Sequence, residues 1–428
     1  MPAMGKNTYV DNEGVNLTEF FSREDASYVI KYHHVFSDTL FLPSNSKLYF
    51  KGGSLTGPIV FNDTKLCGRV DLKGSNIVGE IRNKKFDASW LCVMDGVTDD
   101  APAINQMIRI CQEIFFPKGQ YRLKSKYIAD DINGEIRKRI HSHLGINRSN
   151  VKLKGEKGAC LISSEPLGML TIYSQPYDID NSIKNIDIEN LTFKVMNDGI
   201  NFHEFMLSIE TMGVNGLTIK KCFFDDFWGD AICLSHYGDN IRTGERTRNQ
   251  NVTIENNTII GGPRHNNRNG ISVINGKNVL IKRNIIKNTS RKNMPGGIDV
   301  EPNNPAYTLE NIRIERNYLD SINGEVGAIA VQSVRKGAPL YNVQVIKNEI
   351  RNSRIGICVY IIDKESTDGI FIRNNYVDSN TKPYNFVGEG LSKNWEITDN
   401  VFEHPCTQEI PGAISVENLI VKGNKKKE

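Results

Sequence analysis

From about residue 183 onward one short pattern keeps returning: an apolar residue, any residue, Ile or Val, two polar residues, an Asn in most copies, any residue, then an apolar one. It reads VTIENNTI, VLIKRNII, IRIERNYL, VQVIKNEI, IFIRNNYV and WEITDNVF, with two earlier copies, IDIENLTF and LTIKKCFF. Asn257, Asn284, Asn317, Asn348, Asn375 and Asn400 fall in one equivalent position, at successive spacings of 27, 33, 31, 27 and 25 residues; Leu191 and Cys222 take that place in the earlier copies. Each copy is followed by a variable loop and a second short strand: AICL, GISV, GIDV, AIAV, GICV and finally AISV. One coil of this kind has no way to bury its apolar side alone, whereas stacked coils share a continuous core, so the repeat predicts a parallel β-solenoid. Asn suits the corner because it tolerates left-handed backbone angles, and stacked amides hydrogen-bond from coil to coil. The column is therefore structural.

The 428 residues carry 53 Lys and Arg against 50 Asp and Glu, a formal net charge of +3, with 39% hydrophobic residues. That balance shows no strong attraction to nucleic acid or membrane. No run of about 18 apolar residues exists, so no membrane span is expected. The start, MPAMGKNTYVDNEG, lacks the basic then apolar pattern of a signal peptide; either the protein is not exported this way or the signal has been removed. Eight cysteines, without a CxxC or a cluster with His, predict neither a zinc site nor a disulfide framework.

In SLTGPIVFNDTKLCGRVDLKGSNIVG the triplets LTG, LCG and IVG end at Gly57, Gly68 and Gly79, 11 residues apart. Residues 48 to about 90 read as short β-turns of a small N-terminal β-domain, and residues 1 to 47 as a tail or attachment segment. The expected division is 1–90 and 91–428. In VMDGVTDDAPAINQMIRICQEIFFPKGQYRLKS, Asp99 or Thr98 caps a helix and Pro102 suits its first turn. Ala103, Ile104, Met107, Ile108 and Cys111 make one apolar stripe, and a strand follows. The reading is an amphipathic helix that closes the end of the solenoid.

This segment resembles the pectate lyase-like, right-handed parallel β-helix superfamily, in which a DGxxDD stretch, a helix and an FPxGxY strand open the helix. The matching residues are Asp95, Gly96, Asp99 and Asp100, then Phe116, Pro117, Gly119 and Tyr121. The resemblance covers the chain from about residue 92 to its end. It implies an all-β right-handed parallel β-helix with an N-terminal capping α-helix. It also implies a carbohydrate-active protein from a superfamily of polysaccharide lyases, glycoside hydrolases, uronate epimerases and phage tailspikes. An extracellular, periplasmic or virion-associated setting follows from it, as does a monomer or, as in tailspikes, a homotrimer. The acids of DGVTDD are explained by capping and turn formation rather than by a metal.

Within GGIDVEPNNP, alternation points Ile298 and Val300 into the core and leaves Asp299 and Glu301 on the open face together. The stacked equivalents of Asp299 are Cys233, Ser272, Ala330 and Cys358, and those of Glu301 are Ser235, Ile274, Gln332 and Tyr360; this coil alone has acids in both columns. Asp230 is a third acid or a turn residue. The flanking loops hold Arg242, Arg246, Arg248, Arg264, Arg268, Arg291, Lys292 and His265, a rim suited to an anionic ligand such as an acidic polysaccharide. Trp228 and Tyr360 are candidates for stacking on sugar rings, although a lone aromatic in such a place more often packs.

The favoured reading is a glycoside hydrolase with Asp299 and Glu301 as its carboxyl pair, in either order. A second is a polysaccharide lyase or uronate C5-epimerase, with His265 as acid or base, Arg264 or Arg268 stabilising the enolate-like charge, and calcium held by Asp299 and Glu301. A third is a non-catalytic glycan-binding or tailspike adhesion protein. No cofactor is expected apart from that calcium.

Overall fold

A computed structural model describes residues 8–129, 139–174, 182–196, 204–236, 247–262, 267–289, 291–362, 367–403 and 415–427. The chain forms two compact units, residues 1–125 with 151–160, and residues 126–150 with 161–428.

The first unit is a ladder of parallel strands. Thr8–Val10, Ser27–Ile30, Lys47–Phe50 and Pro58–Gly68 pair in succession, and Asn76–Ile81 pairs with the last of these. Its register puts Leu66 beside Leu48 and Ile77 beside Ile59, so these rungs are 18 residues apart, after steps of 19 and 20 earlier in the ladder, and the 11-residue glycine spacing is not the coil. Gly68 and Gly79 instead mark close approaches: a Cβ on Gly79 would stand 2.0 Å from the Phe61 carbonyl oxygen. Residues 8–47, the least legible part of the sequence, supply strands to this ladder.

The helix runs Ala101–Ile110 with Ala101, Ile104, Met107 and Ile108 buried; Ala103 of the expected stripe is half-buried. Asp100 is the N-cap residue, yet its carboxylate turns back to the N–H groups of Val93 and Met94 at 2.7 and 3.1 Å, and burial raises it to about 6. Asp99 accepts from Ala101 N at 3.1 Å and from Lys124 N at 2.9 Å, and Asp95 from Val97 N and Thr98 N. The DGVTDD acids are thus spent on backbone N–H groups. Tyr121 packs edge-on against Phe116 and donates to the Pro117 carbonyl at 2.9 Å.

The second unit is a parallel β-helix. One long run of in-register strands includes Val214–Lys220, Asn249–Glu255, Gly276–Lys282, Leu309–Glu315, Leu340–Ile346, Thr367–Arg373 and Leu391–Thr398. Its inward columns, Leu217 to Trp395 and Ile219 to Ile397, are buried throughout. The residues between them point outward, as period two requires.

The Asn column runs as expected along a buried edge and reaches one rung further, to Asn424. At each step the backbone N–H and the amide of one Asn donate to Oδ1 of the next, for example Asn284 to Asn317 at 2.9 and 3.0 Å. The same amide also donates to a carbonyl of the preceding coil, Asn284 to Ile254 O at 2.9 Å. The left-handed angles fall one residue earlier than the column, at Asn256, Arg283, Arg316, Lys347, Asn374 and Asp399, with φ between 53° and 56°. The ladder Asn is therefore selected for its amide, not for its backbone.

A second Asn ladder, not apparent in the repeat, runs along the exposed corner: Asn251, Asn278, Asn311 and Asn342 each donate to the Asn of the coil before. These residues do adopt left-handed angles, and Gly216 and Gly369, both at φ +81°, occupy the position where Asn is absent. The seven described cysteines are free; Cys406 lies outside the described residues. Among the described residues no helix is long and apolar enough to cross a membrane.

Candidate functional site

The strands Ile232–Leu234, Ile271–Val273, Ile298–Val300, Ile329–Ser333 and Glu349–Ile361 stack in register, aligning Cys233, Ser272, Asp299, Ala330 and Cys358 in one outward column. Gln332 stands beside Tyr360 in the next. Ile298 and Val300 fill the core at 0% exposure. The outward face, however, is not open here: Asp299 is only 1% exposed and Asp230 only 3%, while Glu301 is half-buried. Two acids expected at a wet face stand in an enclosed one.

Both oxygens of Asp299 accept amide hydrogens, Oδ1 from Gln332 Nε2 at 2.8 Å and Oδ2 from Asn269 Nδ2 at 3.2 Å. Burial pushes the Asp299 carboxyl well above the usual carboxylate range, and the neighbouring Glu301 pushes it further. Burial also raises Glu301, opposed by a hydrogen bond with Asp299 and by the positive charge of Arg268. Both shifts favour the protonated form, and two carboxyl groups so close titrate as a pair rather than singly. That contact is shorter than the carboxyl separation of about 5 to 9.5 Å across a scissile glycosidic bond. Asp299 and Glu301 thus stand together as one unit of a single coil.

Asp230 is a third acid, buried, from an earlier coil. Its Oδ1 accepts from the Asn269 N–H at 3.0 Å and lies 3.6 Å from Nε of Arg268. Burial raises Asp230 despite the guanidinium. Arg268 also donates from Nη1 to Glu204 Oε2 at 3.3 Å. Asn269, fully buried, is the hub: its N–H holds Asp230, its amide reaches Ser272 Oγ and Asp299, and its Oδ1 accepts from Gly296 N at 2.8 Å. In the sequence Asn269 is one polar residue in a loop, with nothing to mark it.

Other expected residues fare differently. Trp228 is 1% exposed and packed in the interior, so its ring has no free face for a sugar. Tyr360 is half-buried beside Gln332, and Arg291, also half-buried, donates from Nε to Asn293 Oδ1. His265, Arg264, Arg242 and Arg246 lie outside the described residues. The acid column also holds one residue the repeat did not reveal: Glu210 pairs with Cys233 in register, so acids occur in two coils of this column, not one. The strand IETM that carries it is followed by no corner Asn, the signal by which later copies are found.

Amide N–H groups point at both oxygens of Asp299, where a dication would be opposed by their positive ends. Among the described residues no three His, Cys, Asp or Glu side chains converge as a metal site would require. A concavity of about 630 Å³ lies on the other long sheet, lined in part by Asp368, Lys393 and Glu417, and shares no residue with the acid cluster.

Residues 208–402 match the family model described as the right handed beta helix region. Among solved structures, the tailspike protein of Acinetobacter baumannii phage AM24 is 14% identical, with 81% of this chain and 54% of that one covered, at a TM-score of 0.53. The tailspike gp49 of A. baumannii bacteriophage Fri1, a capsular polysaccharide depolymerase, is 14% identical over 80% of this chain and 59% of that one, at 0.46. PfbA, a surface adhesin of Streptococcus pneumoniae, is 14% identical over 80% of this chain and 92% of that one, at 0.40. This chain spans about half the length of the AM24 tailspike it matches. Curated protein sequences give no match. The likeness is one of fold: the chain is an all-β protein with the architecture of the right-handed parallel β-helix superfamily.

Proposed function

We propose that this protein is a glycoside hydrolase that cleaves an acidic polysaccharide, acting outside a cell or on a virion. The observation that carries the reading is the enclosed Asp299 carboxyl in contact with Glu301 and fixed by two amides. A carboxyl group that holds its proton to higher pH than an ordinary carboxylate is what protonation of a glycosidic oxygen requires. Glu301, the more exposed member, delivers the proton of the pair to the leaving oxygen as the C–O bond breaks, and the proton that Asp230 takes from the attacking water returns to the pair through solvent. Asp230, held by Arg268 and Asn269, accepts a proton from the water that attacks the anomeric carbon.

For elimination, Arg268 is engaged with Asp230 and Glu204, and His265 and Arg264 lie outside the described residues. The test is digestion of a panel of acidic and neutral polysaccharides, following new reducing ends and the ultraviolet absorbance of unsaturated products separately. Hydrolysis gives reducing ends alone. Asp299→Asn and Glu301→Gln should each lower turnover about 10²- to 10⁴-fold, the usual worth of general acid catalysis. Unsaturated products would establish elimination, and full turnover in both variants would remove these residues from the chemistry.

A further inference from the structure

Glu210 stands three rungs from Asp299 in the same outward column, through Cys233 and Ser272. With strands about 4.8 Å apart, the two acids are about 14 Å apart along the axis, and only small side chains lie between them. Arg139 donates from Nη2 to Glu210 Oε1 at 2.5 Å and to Ser235 Oγ at 3.2 Å. Its guanidinium lies 5.8 Å from the ring centre of Phe205, which is 47% exposed. The Arg139 side chain itself keeps 27% of its surface in contact with solvent. The preceding residue, Glu204, receives the hydrogen bond from Arg268 beside Asp230. Two adjacent residues therefore reach the two clusters and join them along one edge of the face.

An exposed aromatic ring beside a fixed donor matches a pyranose, which has an apolar C–H face and adjacent hydroxyl groups at its edge. We infer that Phe205, Arg139 and Glu210 form a second sugar subsite, which binds a unit of the glycan remote from the bond that is cut. The inference rests on the polysaccharide reading above but not on cleavage. Phe205 supplies the platform and Arg139 donates to a hydroxyl oxygen, while Glu210, only 5% exposed, holds the Arg139 guanidinium in place from beneath.

Affinity electrophoresis of the full chain through gels containing bacterial capsular or pectic polysaccharides tests it, with Asp299→Asn as background so that no substrate is consumed. Phe205→Ala in that background should weaken retardation about tenfold, and Glu210→Gln, which keeps the shape and most hydrogen bonds, by a smaller factor. In the cleaving protein, Phe205→Ala should raise KM for long chains while leaving kcat unchanged, and should leave both unchanged for oligosaccharides too short to span the two clusters. Equal retardation of Asp299→Asn with and without Phe205→Ala overturns the subsite, as does retardation of neither protein in any gel. Loss of cleavage in Asp299→Asn with binding still sensitive to Phe205 keeps the subsite, whatever the chemistry proves to be.

Discussion

Asp299 makes its own prediction about stability. Its folded-state pKa lies well above the unfolded value near 3.9, so the unfolded chain gives up its proton first as pH rises. The stability associated with the protonated group is complete below that unfolded value and is lost as pH climbs towards the raised folded one. Asp230 and Glu301 shift in the same direction, so their losses add. Asparagine at 299 fills the same space without titrating. The melting temperature of Asp299→Asn should therefore exceed that of the wild type near pH 8, and the difference should shrink or reverse near pH 4. A pH-independent difference in calorimetry would mean that Asp299 is not held protonated by its surroundings. How far these residues were legible follows from what fixes them. The pairing of Asp299 with Ser272 and Ala330 is set by apolar alternation, which the sequence displays. Whether the face is open or covered depends on loops of irregular length, which is why Asp299 is buried where an open face was expected. Asn269 acts through three neighbours brought together only by coiling.

The strands and corners are governed by the two Asn ladders, and they respond differently to substitution. Removing the Asn317 amide strands the N–H and amide of Asn284 and the carbonyl of Ile281, all in the interior. Asn317→Ala should cost about 3 kcal/mol or more, since each buried unsatisfied group costs roughly 1 to 3 kcal/mol. Asn424→Ala, on the final half-buried rung, should cost about 1 kcal/mol. Equal losses in chemical denaturation would refute a cooperative interior ladder. At the outer corner the backbone matters more. Asn278, at φ +55°, should be replaceable by Gly within about 0.5 kcal/mol, whereas Val should cost about 1 to 2 kcal/mol because a β-branched residue resists the left-handed region. The inner ladder was visible because its Asn recurs inside a strong apolar pattern. The outer one was not, because Gly alternates with Asn there and both read simply as turn residues.

At the scale of the molecule, stacking is what converts a weakly informative sequence into a site. Residues 230, 269, 299 and 332 are distant in the chain, and each coil brings one of them to the same stretch of the outward face. The fold itself was legible from the repeat, because short alternating strands at this period have no other way to bury their apolar side. The N-terminal ladder was not, because its rungs of 18 to 20 residues carry no constant corner residue and its regularly spaced glycines follow a different interval. The account as a whole depends on a proton held by the Asp299–Glu301 pair at a pH where an ordinary carboxyl group has lost its own. Infrared difference spectroscopy of the wild type against Asp299→Asn across a pH series measures it without any knowledge of the substrate. The account predicts a protonated-carboxyl C=O stretch that persists above about pH 5 in the wild type and is missing in the variant. A wild type that shows only ionised carboxylates at that position above about pH 5 would contradict it.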